Sequence, residues 1–265
     1  MKHRAIWLIV ISVALAVVLW VAFCGYQWSW GPFHRLHDLS TARLPGNAPG
    51  YAPENARRIE DSPLAGKTIL FLGSSVTYGA SAKGVSFADY IAVRNNCTSL
   101  KEAVSGTTLT DNGPDSYIAR MKQVDKTIPA DFFICQLSTN DASQNKPLGA
   151  VSAGTALSDF DTHTVAGAIE YVIVYARETW HCPVLFYTNP YYDSSAYEQM
   201  TDLLKQIAQK WDIEVIDLWS DELFNDISKE QRTLYMADQI HPTQAGYLQW
   251  WTPVFEKKLY ELAVK

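Results

Sequence analysis

The sequence predicts an α/β domain built on a five-stranded parallel sheet, set behind an N-terminal helix that crosses a membrane. Three observations carry this. Five short apolar runs recur along the chain. Longer segments with apolar residues at helical spacing separate them. An uncharged apolar stretch precedes them all. Short apolar strands alternating with amphipathic helices imply a parallel sheet covered on both faces.

The elements follow in order. "KTILFLG" (67–73) reads as the first strand and residues 85–94 as a helix; "SLKEAVS" (99–105) is the second strand, followed by a helix over 115–125. "DFFICQLS" (131–138) is the third strand, and a loop then runs to about residue 160. Helix 164–180 carries Val165, Ile169, Val172 and Ala176 on one face, and "PVLFYTN" (183–189) is the fourth strand. Helix 195–211 carries Tyr197, Met200, Leu204, Ile207 and Trp211; "IEVIDLW" (213–219) is the fifth strand. A closing helix, 243–263, has Leu248, Trp251, Phe255, Leu259 and Leu262 on one face. These stripes are core faces. No internal repeat is visible.

Three regions result: a tip and anchor (1–26), a Pro/Gly-rich spacer (27–54) and the α/β domain (55–265). Lys2 and Arg4 precede an apolar run from Ile6 to Phe23, and no charge occurs between Ala5 and Phe33. About 18 apolar residues suffice to span a bilayer. Tyr26, Trp28 and Trp30 follow where an interfacial aromatic belt belongs. A cleaved signal peptide usually has a shorter apolar core, so an uncleaved signal anchor is the better reading; cleavage would give a secreted form. Positive flanks stay cytoplasmic, which places the domain outside. Pro32, Pro45, Pro49 and Pro53 mark the spacer.

The net charge is −6, and the only basic residues before position 27 are Lys2 and Arg4. The domain is thus more acidic still, which argues against a nucleic-acid partner. Four cysteines are too few for a disulfide framework; Cys135 lies in an apolar strand, while Cys97 and Cys182 could pair in an oxidising compartment. No Cys/His spacing suits a metal, and no organic cofactor is implied. Asn96-Cys97-Thr98 fits a glycosylation pattern that is common by chance.

In such folds, ligands bind beyond the carboxyl ends of the strands. After strand one stands Gly73-Ser74-Ser75-Val76; after strand two, Ser105-Gly106-Thr107; after strand three, Ser138-Thr139-Asn140-Asp141. Before the closing helix stands Asp238-Gln239-Ile240-His241. Each fragment alone suits a turn or a helix cap. Together they supply a hydroxyl, an imidazole, a carboxylate and donors for an oxyanion, the parts that acyl transfer through serine needs. A nucleophile elbow, G-x-S-x-G, is excluded because Thr77 stands at the second glycine.

These four fragments, in this order over roughly Ser62 to Lys265, resemble the SGNH or GDSL-like hydrolase family. The family's G-D-S-[L/I/V] block maps onto Gly73-Ser74-Ser75-Val76, which makes Ser75 the nucleophile and puts Ser74 where Asp is usual. The second-block glycine maps onto Gly106, G-x-N-D onto Ser138-Thr139-Asn140-Asp141, and D-x-x-H onto Asp238 and His241. The resemblance implies a three-layer flavodoxin-like fold with strand order 2-1-3-4-5. It also implies a Ser75–His241–Asp238 triad and an oxyanion hole from the N–H groups of Ser75 and Gly106 and the Asn140 amide. Ser138 in place of Gly, like Ser74, bears on pocket shape rather than mechanism.

The implied activity is hydrolysis of short acyl esters, O-acetyl foremost, on a small molecule or an acylated glycan outside the cell. An O-acyltransferase with the same triad and a non-catalytic glycan-binding or scaffold domain are the rival readings. His163 is a further candidate for the pocket wall. Oligomeric state is not legible.

Overall fold

The structure, a computed structural model, describes residues 2–28, 31–33 and 36–264. Helix α1 (Lys2–Trp28) comes first, and its stretch Ile6–Tyr26 is long and apolar enough to cross a membrane. Its side chains from Ile6 to Trp20 stand exposed. Of the expected aromatic belt, Tyr26 ends this stretch; the Trp28 side chain and Trp30 lie outside the described residues, as does His34. The chain then doubles back. Gly31 takes a positive φ of 75° in the turn Gly31–Phe33, and the Phe33 backbone lies so close to Gly25 that no Cβ would fit there. A short helix, Leu36–Thr41, brings Ser40 Oγ within 3.3 Å of the Tyr26 carbonyl.

From Thr41 to Ala56 the Pro/Gly-rich segment is a strap laid on the domain rather than a free spacer. Pro45, Pro49 and Pro53 each open a single 3₁₀ turn, and each turn closes on an extended alanine: Ala48, Ala52 and Ala56. This is a four-residue Pro-X-X-Ala repeat that the reading of the sequence passed over. Proline at the first position of a turn has no N–H to leave unpaired, and it forces the residue before it into extended backbone. Asn47, within the strap, is fully buried against the domain. Its Nδ2 donates to the carbonyls of Thr41 (2.8 Å) and Ser81 (2.7 Å), and its Oδ1 accepts from Gln244 N–H (2.8 Å). Lys83 Nζ and the Tyr90 hydroxyl hold the carbonyls of Asn47 and Tyr51.

The domain follows as β1 (Thr68–Gly73), α2 (Ser75–Tyr78), α3 (Phe87–Asn95), β2 (Thr98–Ala103), α4 (Tyr117–Met121), β3 (Phe132–Gln136), α5 (Thr139–Ser143), α6 (Val165–Trp180), β4 (Val184–Tyr187), α7 (Ser195–Trp211), β5 (Glu214–Ile216), α8 (Lys229–Tyr235) and α9 (Thr252–Ala263). All strand pairs are parallel and the order is β2-β1-β3-β4-β5. The flavodoxin-like three-layer architecture is thus present.

Alternation along the strands feeds two cores. Leu70, Leu72, Phe133, Cys135, Val184 and Phe186 face α6 and α7. Ile69, Phe71, Phe132, Ile134, Leu185 and Tyr187 face α3 and α9, where Phe87 stacks on Phe255 with ring centroids 4.1 Å apart. Each such buried side chain contributes about 1.5–3 kcal/mol of transfer free energy. β2 to β5 end earlier than their apolar runs, because the residues beyond them turn into the loops at the sheet's carboxyl edge.

Three expectations need correction. The helix expected over 115–125 holds only from Tyr117 to Met121; Gln123 and Val124 continue in tighter turns on Arg120 and Met121. The closing helix is not uniform. Tyr247–Trp251 form a π turn, with Thr252 N–H and Oγ1 both on the Tyr247 carbonyl. Pro253 explains this, since its ring and missing N–H break the i→i−4 ladder. Cys97 and Cys182 do not pair; both are free. They precede β2 and β4, three strand spacings apart, roughly 14 Å, and a disulfide needs Cα atoms within about 7 Å. Burial pushes the Cys97 thiol up to about 11. Asn96 is the αL cap that ends α3 and is exposed.

Candidate active site

Ser75 opens α2 directly beyond the end of β1, and its turn is held from behind. Gln136, the last residue of β3, is fully buried, and its Oε1 accepts from Ser74 N–H (2.9 Å) and Thr77 Oγ1 (2.9 Å). Thr77 Oγ1 also meets the Tyr187 hydroxyl at 2.6 Å. Gly73 is needed for space: a Cβ there would run into the Thr77 side chain. Tyr247 donates to the Val76 carbonyl (2.6 Å), tying α2 to the closing helix.

The histidine arrives on the loop between α8 and the closing helix. Ala237 N–H donates to the His241 carbonyl (2.9 Å), and Thr243 N–H to the Tyr235 carbonyl (2.8 Å), so the segment is a closed turn. Ser75 Oγ lies 2.8 Å from His241 Nε2. His241 Nδ1 lies 2.8 Å from Asp238 Oδ2, while Asp238 Oδ1 accepts from the N–H groups of Ile240 and His241, both at 2.7 Å. Partial burial acts to raise the Asp238 pKa, but the His241 hydrogen bond, that ring's charge and the two N–H groups outweigh it. The carboxyl is therefore held below its ordinary range and stays ionised at neutral pH.

The third set of groups lies on the loop between β2 and α4, the expected oxyanion loop, and at the start of α5. Gly106, with φ of 81°, lies between β2 and α4 where only backbone freedom, not space, calls for glycine. Asn140, in the first turn of α5, donates one Nδ2 hydrogen to the Thr107 carbonyl (2.8 Å), leaving the other free to point elsewhere. The buried Asp141 carboxylate accepts from Leu109 N–H (2.7 Å) and Thr110 N–H (3.0 Å). Arg120 reaches from α4 to the Gly73 carbonyl (2.8 Å) and Thr107 Oγ1 (3.1 Å). The structure thus brings Ser75, His241 and Asp238 into one chain of hydrogen bonds, and joins Asn140, at the start of α5, to the Gly106–Thr107 loop, which Arg120 ties to the end of β1.

Four residues in this frame went unread in the sequence: Gln136, Asp141, Arg120 and Asn47. Asp141 had a signal, its place in the Ser-Thr-Asn-Asp fragment. Asn47 had one too, the period of the prolines around it. His163 lines a polar cavity of about 510 Å³ with Thr110, Asp111, Asn112, Gly113, Lys146 and Pro147, beside the oxyanion loop. Its Nδ1 lies 2.7 Å from the Asp111 carbonyl.

Against known proteins, the sequence model of the GDSL-like Lipase/Acylhydrolase family matches residues 71–248. The chain belongs to this family. The match spans Ser75, Gly106, Asn140, Asp238 and His241. Solved structures agree on the fold. A Lactobacillus plantarum protein is 22% identical, covering 75% of this chain and 96% of its own, with a TM-score of 0.60. A member of the lipolytic G-D-S-L family from Veillonella parvula is 17% identical over 76% of this chain and 100% of its own, with a TM-score of 0.53. A family two carbohydrate esterase from Clostridium thermocellum, solved with cellohexaose, is 16% identical over 77% of this chain and 66% of its own, with a TM-score of 0.51. No curated protein matches this sequence.

Asn140 separates a structural from a chemical role for the oxyanion loop. As a brace on Thr107 alone, Asn140→Ala would cost about 1 kcal/mol of stability and little rate. As an oxyanion donor it costs roughly 100- to 1,000-fold in kcat with KM nearly unchanged. The second outcome is expected, read from kcat, KM and the thermal midpoint on one preparation.

Proposed function

We propose that this chain is a membrane-anchored serine esterase working outside the cytoplasm, which removes short acyl groups, O-acetyl foremost, from glycans. The observation that carries the reading is the Ser75 Oγ–His241–Asp238 relay, with both contacts at 2.8 Å. Ser75 attacks the ester carbonyl while His241 Nε2 takes its proton. Asp238 holds the imidazole in the tautomer that can accept, and stabilises the imidazolium. The N–H groups of Ser75 and Gly106 and the free Asn140 hydrogen meet the oxyanion. His241 then returns its proton to the leaving alcohol, and water resolves the acyl-enzyme by the same route.

The glycan component draws on the carbohydrate esterase among the similar structures, and the location on helix α1, with Arg4 before its apolar stretch. Labelling by a fluorophosphonate is the direct test, because only an activated serine reacts. The intact protein should label and should release acetate from an acetylated oligosaccharide. No labelling would leave a binding or scaffold domain. Labelling with transfer to an added sugar, in place of acetate release, would make it an acyltransferase.

A further inference from the structure

The membrane helix is attached to the domain at its catalytic edge. Tyr26, the end of the apolar span, is met by Ser40. The Thr41 carbonyl accepts from Asn47, and the same Asn47 binds Ser81, in the turn after α2, and Gln244, three residues beyond His241. Fourteen residues could reach about 50 Å if extended, but here Phe33 lies against Gly25 and Ser40 against Tyr26, both on α1. The edge bearing Ser75 and His241 is therefore kept close to the bilayer.

A second, independent feature lies on this edge. Among the described residues beyond the strap, the exposed large apolar side chains are Tyr78, Val104, Tyr191, Leu223 and Val264. All but the C-terminal Val264 follow the carboxyl end of a strand. Tyr78 ends α2 and Val104 directly follows β2. Tyr191 follows β4, and its N–H donates to Asn225 Oδ1 on the short helix Glu222–Asn225 that presents Leu223. Leu223 is 88% exposed and Tyr191 55%. Exposed apolar groups gathered on one side mark a contact surface rather than scatter. The Tyr191 and Leu223 loops carry Asp193, Asp221, Glu222 and Asp226 with no Lys or Arg. On that side the tether and the apolar side chains, not attraction to anionic headgroups, make the contact; Lys101, beside Tyr78, is the cation at the other side.

We propose that the catalytic edge faces the bilayer that α1 spans, with Tyr78, Val104, Tyr191 and Leu223 touching its outer surface, and that the ester it cleaves is borne by a membrane-embedded amphiphile. This rests on the esterase reading for its chemistry and on the anchor reading for its location. An acylated, lipid-linked saccharide has the required character: its lipid stays in the leaflet and its ester lies at headgroup level, within reach of Ser75.

The test uses the full chain in phosphatidylcholine vesicles. A dye is placed on Leu223→Cys, and separately on Val264→Cys, in a Cys97→Ser background because Cys97 is only half-buried. Lipids carrying a quencher at headgroup depth should quench the dye at position 223 and spare the one at 264. Equal quenching at both, or at neither, overturns the orientation. Activity is then compared on a soluble aryl acetate and on the same acetate ester fixed to a lipid in the vesicle. Leu223→Ser should lower the ratio of vesicle-borne to soluble turnover roughly tenfold. An unchanged ratio overturns the amphiphile substrate. Loss of soluble-ester turnover in the unmodified protein would instead fail the esterase reading, and the quenching result would stand apart from it.

Discussion

Ser75→Ala is expected to lower hydrolysis of a short-chain aryl ester at least roughly a thousandfold, and Ser74→Ala far less. The two hydroxyls are adjacent in sequence and differ in what they meet. Ser75 Oγ faces His241 Nε2 at 2.8 Å, while Ser74 is fully buried with its Oγ turned to Gln136 Oε1 at 3.3 Å. Removing the Ser74 hydroxyl deletes one long hydrogen bond, worth about 1 kcal/mol or less. The backbone bond from Ser74 N–H to Gln136 survives. His241→Ala joins Ser75→Ala, since without an acceptor the hydroxyl is a weak nucleophile at neutral pH. Initial rates and fluorophosphonate labelling of the three variants check this. A dead Ser74→Ala beside an active Ser75→Ala would reverse the assignment.

Asp238→Asn is expected to cost roughly ten-thousandfold in kcat while leaving the fold in place. The carboxylate has two distinct tasks. Oδ1 takes the N–H groups of Ile240 and His241, and Oδ2 faces His241 Nδ1. An asparagine keeps its carbonyl on the two backbone donors, so its NH₂ is turned to Nδ1. That nitrogen must then accept, the ring proton moves to Nε2, and Nε2 can no longer take the proton of Ser75. The pH dependence of stability follows from the same contacts. The folded carboxyl has a pKa below its unfolded value, so the charged form stabilises the fold above the unfolded value. That contribution is lost as pH falls from about 4 through the folded value. The stability gap between the wild-type protein and Asp238→Asn should close over that acid range, and thermal midpoints at several pH values would show it. A gap unchanged at low pH would mean that the charge of Asp238 does not support its loop.

The parts of this molecule that could be read from sequence are those whose cause is local. Leu70, Leu72 and their neighbours announce a buried strand by being apolar together. Asp238 and His241 stand three residues apart on one turn, so their meeting needs no knowledge of the rest of the fold. The frame around them was illegible for the opposite reason. Gln136 makes sense only beside Ser74 and Thr77, which come from the turn and helix after another strand. Arg120 becomes interpretable once Gly73 and Thr107 are known to lie at its tip. The prolines at 45, 49 and 53 resemble those of a loose linker, because composition does not say whether a chain of turns finds a surface to lie on. Pro253 carried a readable warning against an unbroken last helix, overruled by the apolar stripe on either side of it.

The hydrogen bond between Asn47 and Gln244 joins residues 197 positions apart. During synthesis the strap emerges long before its partner at Gln244 is made. Until then Asn47 has nothing to bind at Gln244, and the turn that carries His241 lacks its clamp. Closing so long a loop is slow compared with forming a helix or a local turn. Local helices and turns can thus form before the seam beside the histidine closes. A chain that has not yet reached His241 would hold Ser75 beyond β1 with no imidazole beside it.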